Sequence, residues 1–160
     1  MAFGSSSAVF AAHAVSSFGT RGTADTGFVG ANTIKAALFN NSVTPDKSAA
    51  VASTGYNTGT WVTANEVTDA TNWAAGGRTL ASKTGVASSN VATFDAADTA
   101  GGGTLTISNA YGALVYNDSI TGGTVADQGI CFNSFGGAQS VAGGTFTIVW
   151  SANGLFQITV

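Results

Sequence analysis

The chain has 160 residues, enough for one domain, and only 8% of them are charged, against about 25% in typical soluble domains. Its five Lys and Arg residues are scattered and its formal net charge is -3, so it offers no basic patch for binding nucleic acid. No stretch reaches the roughly 18 apolar residues that would span a bilayer. Because a weakly charged surface has little charge to desolvate, this composition favours packing against neighbouring molecules.

The first 30 residues carry spaced phenylalanines among Ser, Gly and Ala, with neither a clean helical period nor a strand period. We predict an N-terminal arm over residues 1–30 and a single domain over residues 31–160. The arm has two interpretations: it plugs aromatic side chains into a neighbouring subunit, or it folds over its own domain. No Lys or Arg precedes its apolar part, so we expect no signal peptide and a protein made and used inside the cell. The spaced aromatics are Phe3, Phe10, Phe18 and Phe28.

The first predicted strand covers residues 33–39, with the side chains of Ile34, Ala36 and Leu38 on its buried face. A long loop over residues 48–77 follows, rich in Ala, Ser, Thr, Asn and Gly. Loops of this length in a compact domain are usually functional or docked on a partner. Its aromatic residues have two interpretations: they contact a partner or a sugar ring, or they seal the edge of their own core. These residues are Tyr56, Trp61 and Trp73.

Further strands follow at short intervals, separated by Gly-rich turns. Asp95 and Asp98 stand beside such a turn, where carboxylates either contribute to a calcium site or are solvated turn residues; a calcium site needs six to eight ligands, and no EF-hand pattern is present. The predicted strands cover residues 78–84, 89–95, 104–109, 111–117 and 129–135.

The C-terminal stretch predicts a β-hairpin. Residues 145–151 alternate between apolar and mainly hydroxylated side chains, which is typical of a half-buried strand. Asn153 and Gly154 then tolerate the positive φ angles of a two-residue turn. We therefore expect residues 155–160 to pair back on the preceding strand.

These elements predict an all-β fold. The pattern is typical of an antiparallel β-sandwich, jelly-roll-like or immunoglobulin-like, of about eight short strands with an extended N-terminal arm. No convincing long helix is predicted.

Catalytic chemistry is hard to assemble from this composition. The single histidine, His13, lies in the arm, and Glu66 is the only glutamate. The single cysteine, Cys131, has no histidine partner in the predicted core and is best interpreted as a small buried hydrophobe. One His and one Cys do not make a zinc site. We expect neither enzymatic activity nor a bound cofactor or metal.

From residue 33 onward, several blocks of the chain resemble a family of small tailed-bacteriophage structural proteins. The order and spacing of the blocks carry the resemblance; the arm has no counterpart in the family, and the loops hold less Asp and Lys than its members usually do. The blocks are TIKAALFNNSVTPD at 33–46, NEVTDATNWAAGGRTLASKTG at 65–85, VATFDAAD at 91–98, TISNAYGALVYND at 106–118 and GGTFTIVWSANGLFQIT at 143–159.

The resemblance implies a non-enzymatic virion component made in the host cytoplasm. Its first expectation is a capsid decoration (cement) protein on the capsid surface. The partners would be the major capsid protein and neighbouring copies of the chain, without nucleic acid or membrane. A minor tail or fibre-base protein is the first alternative, and a carbohydrate-binding sandwich using Trp61 and Trp73 is the second. The expected interface residues are the arm phenylalanines together with Tyr56, Trp61 and Trp73.

Overall fold

The computed structural model describes residues 8–9, 28–29 and 31–159. This part of the chain consists of short and long β-strands with only two single-turn 3-10 helices, at Val51–Ser53 and Thr63–Asn65. The prediction of an all-β fold is confirmed, and the described residues contain no long helix. The strands are β1 (Ala8–Val9), β2 (Ile34–Phe39), β3 (Arg78–Thr79), β4 (Thr84–Ser88), β5 (Val91–Asp95), β6 (Thr99–Ala100), β7 (Leu105–Asn117), β8 (Gly129–Gly144), β9 (Thr147–Ile148) and β10 (Phe156–Thr159).

The strands form antiparallel sheets, as the sequence predicts. The main sheet has five strands in the order β1-β8-β7-β2-β3. A second sheet has the order β10-β5-β4, and a third joins β6 to β9. Together these sheets make an all-β, sandwich-like fold.

Both faces of the main sheet are buried along β2, the second half of β7 and the start of β8. In β2, Ile34, Ala36 and Leu38 belong to one hydrophobic cluster, whereas Ala37 and Phe39 belong to a second. This division follows from the strand geometry, because successive side chains point to opposite faces of a sheet. The sequence predicts only the first of these buried faces; the second is covered by the long loop.

The first cluster packs the main sheet against the smaller sheets. Phe94 of β5 and Phe156 of β10 stack with ring centroids 4.7 Å apart. Phe28 contacts both rings edge to face, at 6.0 and 5.8 Å. Trp73 contacts Phe146 in the same edge-to-face manner at 5.6 Å. Aromatic pairs in these arrangements each add about 0.5–1.5 kcal/mol beyond the area that they bury.

The second cluster packs the loop between β2 and β3 onto the opposite face of the main sheet. Trp61 meets Phe39 edge to face at 5.1 Å and lies 6.1 Å from Phe132 of β8. Tyr56 stacks on Tyr116 of β7 at 5.0 Å. The loop therefore forms a layer of the fold and is not a free excursion.

Several predicted strand boundaries are wrong in an instructive way. The predicted strand at 78–84 is divided between two sheets: Arg78–Thr79 pairs with β2, and Thr84–Ser88 begins the small sheet. Ser82 has a φ of 50° between them, a left-handed conformation that ends the extended run. The two strands predicted at 104–109 and 111–117 are one strand, β7, and its irregularity is a bulge near Asn109, whose φ is 58°.

The predicted C-terminal hairpin is also wrong. A turn does form here, but Ala152 and Asn153 are its central residues: the Gly154 N–H donates to the Ser151 carbonyl at 2.8 Å, and of the predicted pair only Gly154 adopts a positive φ, at 81°. The flanking segments, however, pair with different partners: β9 pairs with β6, and β10 pairs with β5. The Asp98 carboxylate accepts the Trp150 N–H at 3.0 Å, which holds the chain before the turn away from β10.

Candidate functional site

The expected interface residues are four phenylalanines of the arm, which come first in the chain, and three aromatic residues of the long loop. Phe3, Phe10 and Phe18 lie outside the described residues. Phe28 is 4% exposed and forms part of the first hydrophobic cluster. Its ring therefore packs on its own domain.

The two tryptophans of the loop are also buried within the chain. Trp61 is 1% exposed and Trp73 is fully buried. Trp150, the third tryptophan, is 8% exposed and donates its indole N–H to Thr99 Oγ1 at 3.1 Å. Stacking on a sugar requires an open indole face, and none of the three presents one in this conformation.

Tyr56 belongs to a hydrogen-bonded network centred on Glu66. The Tyr56 hydroxyl donates to Glu66 Oε2 at 2.7 Å, and the Gly76 N–H donates to Glu66 Oε1 at 2.8 Å. The Gly76 carbonyl in turn accepts a bond from the Tyr116 hydroxyl at 2.8 Å. The network thus ties both ends of the 56–76 segment to β7.

Local backbone pairing places Glu66 at the centre of this network. The Val67 N–H donates to the Leu38 carbonyl at 2.8 Å, and the Asn40 N–H donates to the Asn65 carbonyl at 2.9 Å. These bonds extend the edge of β2 across the segment that carries Glu66. The glutamate side chain is therefore held on a structured backbone and not on a free loop.

Burial dominates the electrostatics of the network. It raises the pKa of Glu66 above the ordinary carboxyl value, although the hydrogen bonds from Tyr56 and Gly76 partly oppose this shift. Burial also raises the pKa of both Tyr56 and Tyr116, and the negative charge of Glu66 adds to the rise at Tyr56. The tyrosines stay protonated and serve as donors at neutral pH.

The Glu66 network has a structural role. Both carboxylate oxygens of Glu66 are already engaged, and no nucleophile–base pair adjoins them among the described residues. An open groove of about 480 Å³ lies beside Glu66, between Asn40 and the 106–109 segment of β7, and its lining is otherwise uncharged. The network is best described as a clasp that fixes the long loop to the main sheet.

The other candidate residues have backbone partners or are buried. Asp95 accepts its neighbour Ala96's N–H at 2.8 Å, while Asp98 holds Trp150. No group of three or more His, Cys, Asp or Glu residues that could hold a metal occurs in the described ranges. Cys131 is 1% exposed, and burial raises its thiol pKa, which disfavours the reactive thiolate. His13 lies outside the described residues.

The surface is apolar in few places. In the part of the chain that the structure describes, the large hydrophobic side chains that are exposed are Val29, Val86 and Val149, at 43%, 62% and 72%. Val149 adjoins an open groove of about 350 Å³ that includes Phe135 and Phe146. Val86 lies at the centre of β4, every residue of which is exposed.

Sequence reasoning missed the Glu66 clasp and the β4 edge for different reasons. Tyr56 and Glu66 are ten positions apart in a loop without periodicity, so no local pattern indicates that they meet. The β4 edge did have a signal, because Ser89 and Asn90 are turn-forming residues that divide two short strands. Both adopt positive φ, at 50° and 64°, as a two-residue hairpin requires.

Comparisons with known proteins add no relative: no family model, no curated protein and no solved structure matches this chain. Over the residues described, no helix has the length and apolar character needed to cross a membrane.

Proposed function

We propose that this protein is a structural component of a tailed-bacteriophage virion, and specifically a decoration protein that binds the major capsid shell. The observation that carries the proposal is the combination of a β-scaffold fixed by two aromatic clusters with a surface on which few side chains are charged. Such a surface loses little hydration energy when it is covered by neighbouring subunits.

The chemistry of the described residues supports a binding role over a catalytic one. Glu66, which is half-buried beside an open groove, has both carboxylate oxygens occupied by structural hydrogen bonds, and Cys131 is buried as a thiol. The sequence blocks that resemble phage structural proteins include β2, most of β7, β5, the C-terminal strands β9 and β10, and the 65–85 segment that carries Glu66. The proposal rests on that resemblance for its phage context.

As a decoration protein, the chain would stabilise the shell by binding the assembled state in preference to its free subunits. Each copy contributes a free energy that depends on its affinity and concentration, so many weak contacts add up over the shell. The alternative of a minor tail or fibre-base protein uses the same chemistry at a lower copy number. The carbohydrate-binding alternative is not favoured, because the tryptophans on which it depended are buried.

The experiment is reconstitution. Phage particles lacking this protein would be prepared by gene deletion, and the purified chain would be titrated back. We expect saturable binding to the particles and a higher temperature of DNA release at saturation. Binding confined to isolated tails would contradict the decoration role. So would the absence of binding, at any concentration, to particles that lack the protein.

A further inference from the structure

Among the residues that the structure describes, the strand β4 is an open edge of the small sheet. It pairs with β5 on one side and is the last strand of the order β10-β5-β4. Its sequence TGVAS has no charged residue and no proline, and all five residues are exposed. Proteins usually protect an edge with lysine, proline, a bulge or a covering segment. The strand β4 itself contains no lysine, no proline and no bulge.

The hairpin turn fixes which backbone groups of β4 point outward. Ser88 and Val91 flank a two-residue turn and therefore form a hydrogen-bonded pair, and such pairs alternate along an antiparallel ladder. Val86 is then bonded to β5, while the N–H and C=O groups of Gly85 and Ala87 point away from it. Phe94, which lies opposite Gly85, agrees with this alternation of bonded and non-bonded pairs. Its carbonyl points away from β4 and accepts the Leu155 N–H at 2.8 Å on the far side of β5.

The side chains on this edge suit a close neighbour. Val86 shares the outer face of the sheet with Thr93, its partner on β5, whose hydroxyl accepts a bond from Gln157. Gly85 and Ala87 are small and point to the other face, where Val29 lies against Gly85. The residues on either side of the exposed Val86 therefore have side chains too small to clash with an approaching strand.

We propose that β4 is a self-pairing edge, through which two copies of this chain join β4 to β4 in antiparallel orientation about a two-fold axis at Val86. In this register Gly85 of one copy faces Ala87 of the other, and each such pair exchanges two backbone hydrogen bonds. The axis repeats the pair, so every outward group of Gly85 and Ala87 is satisfied. A two-fold contact requires a self-complementary patch, which this edge is.

The same register brings the two Val86 side chains together on one face. They form a non-hydrogen-bonded pair, in which the Cα atoms are about 4.5 Å apart and the side chains are in contact. The dimer would join two three-stranded sheets into one continuous sheet. No like charges meet across the axis, because β4 carries none.

A second copy fits this edge better than an unrelated strand does. The outward backbone groups of β4 are those of Gly85 and Ala87, and a two-fold axis midway between them, at Val86, matches donors to acceptors without any shift of register. The opposite edge, β10, has no exposed large hydrophobic residue in its described part. The inference deepens one part of the proposed function, contact between neighbouring copies, but its physical basis does not require a capsid.

The test is the mass of the purified full-length chain in sedimentation equilibrium over a range of concentrations. We expect a concentration-dependent dimer for the natural chain and loss of the dimer in both Val86→Lys and Val86→Glu, because like charges then face each other across the axis. An equimolar mixture of the two variants should recover the dimer, since Lys then faces Glu. Thr159→Lys, at another exposed position on the opposite edge β10, is the matched control and should dimerise like the natural chain.

Disulfide trapping provides a second readout that detects weak pairing. Val86→Cys places two thiols across the axis at a Cα separation within the range that a disulfide spans, about 4.4–6.8 Å. Under mild oxidation it should form covalent dimers at least about tenfold faster than Thr159→Cys, because pairing raises the local thiol concentration. The natural Cys131 is buried and does not compete.

Three results would overturn the proposal: dimerisation of Val86→Lys at the natural level, no recovery of the dimer on mixing the charged variants, or equal trapping rates for the two cysteine variants. These failures differ from failure of the proposed function. If the chain stays monomeric in solution and still binds particles that lack the protein, only the β4 pairing proposal fails. A chain that dimerises through β4 but is absent from particles would remove the decoration role alone.

Discussion

Substituting Gly77 by alanine tests how closely the end of the long loop packs against the backbone of β2. Gly77 has a φ of 73°, and an added Cβ would lie 2.5 Å from the Ala36 carbonyl carbon and 2.6 Å from Ala37 Cα. Those atoms belong to the backbone of a buried strand and have no room to move. Gly76, its neighbour, has a φ of 87°, but its added Cβ would meet nothing nearer than the Tyr116 hydroxyl at 3.4 Å. The two glycines therefore make a matched pair.

The expected costs follow from this difference. Both variants place a Cβ at positive φ, which destabilises the fold by about 1–2 kcal/mol. Gly77→Ala adds the displacement of β2 backbone, about 1–3 kcal/mol more by the usual cost of overpacking. A domain of this kind has about 5–15 kcal/mol of total stability, so the loss at Gly77 is a substantial fraction of it.

The assay is urea unfolding followed by tryptophan fluorescence. With a slope of about 2 kcal/mol per molar urea, Gly76→Ala should lower the midpoint by about 0.5–1 M and Gly77→Ala by about 1–2.5 M. Unchanged slopes would show that both variants unfold as the natural chain does. Equal midpoints for the two variants would refute the close approach of Gly77 to β2.

Two further predictions concern the loop layer. Trp61→Ala should lower the free energy of unfolding by about 3–5 kcal/mol, because it empties a site between Phe39 and Phe132. The exposed Val149→Ala is the control and should change it by less than about 0.5 kcal/mol in the same urea assay. For Glu66, the raised pKa means that the folded state binds the proton more tightly than the unfolded chain, so this group's contribution to stability falls as pH rises from the ordinary carboxyl value through the folded pKa. Glu66→Gln keeps an acceptor for the Gly76 N–H and removes the titrating carboxyl group. As pH rises, the free energy of unfolding of the natural chain should therefore fall relative to that of Glu66→Gln. A difference between the two that does not change with pH would contradict the burial of Glu66.

The strands with a clear apolar pattern are predicted well from the sequence. In β2 and the second half of β7, alternating or continuous apolar residues identify strands that are buried on at least one face. The strand period of the predicted strand at 111–117 puts Leu114 and Tyr116 on the opposite face from Ala113 and Val115, and the two hydrophobic clusters display the same division. Such patterns are local consequences of the strand period, and they survive whatever the strand pairs with.

The failures concern pairing, which is not local. A turn does form just before Gly154, yet its flanking strands join two different sheets, because Asp98 and Phe94 bind the segments on either side of it. In the same way, the predicted strand at 78–84 crosses between sheets at Ser82. A propensity for extended structure is visible in the sequence, whereas the choice of neighbour depends on residues far along the chain.

The candidate site shows the same limit. The aromatic residues of the loop are conspicuous in the sequence, but whether Trp61 faces a partner or its own core depends on Phe39 and Phe132, which are distant in sequence. Tyr56 meets Glu66 only because the intervening loop folds back on β2. The uncharged β4 edge, by contrast, could have been predicted from the turn at Ser89 and Asn90.

The measurement that tests the proposed function most directly is the copy number of this chain per particle. Quantitative mass spectrometry of purified virions would give its ratio to the major capsid protein. We expect a ratio near one or a simple fraction of one, as a protein bound at equivalent positions of the shell requires. A ratio of a few copies per hundred would place the chain in the tail or at a vertex, and its absence from purified virions would contradict the structural role altogether.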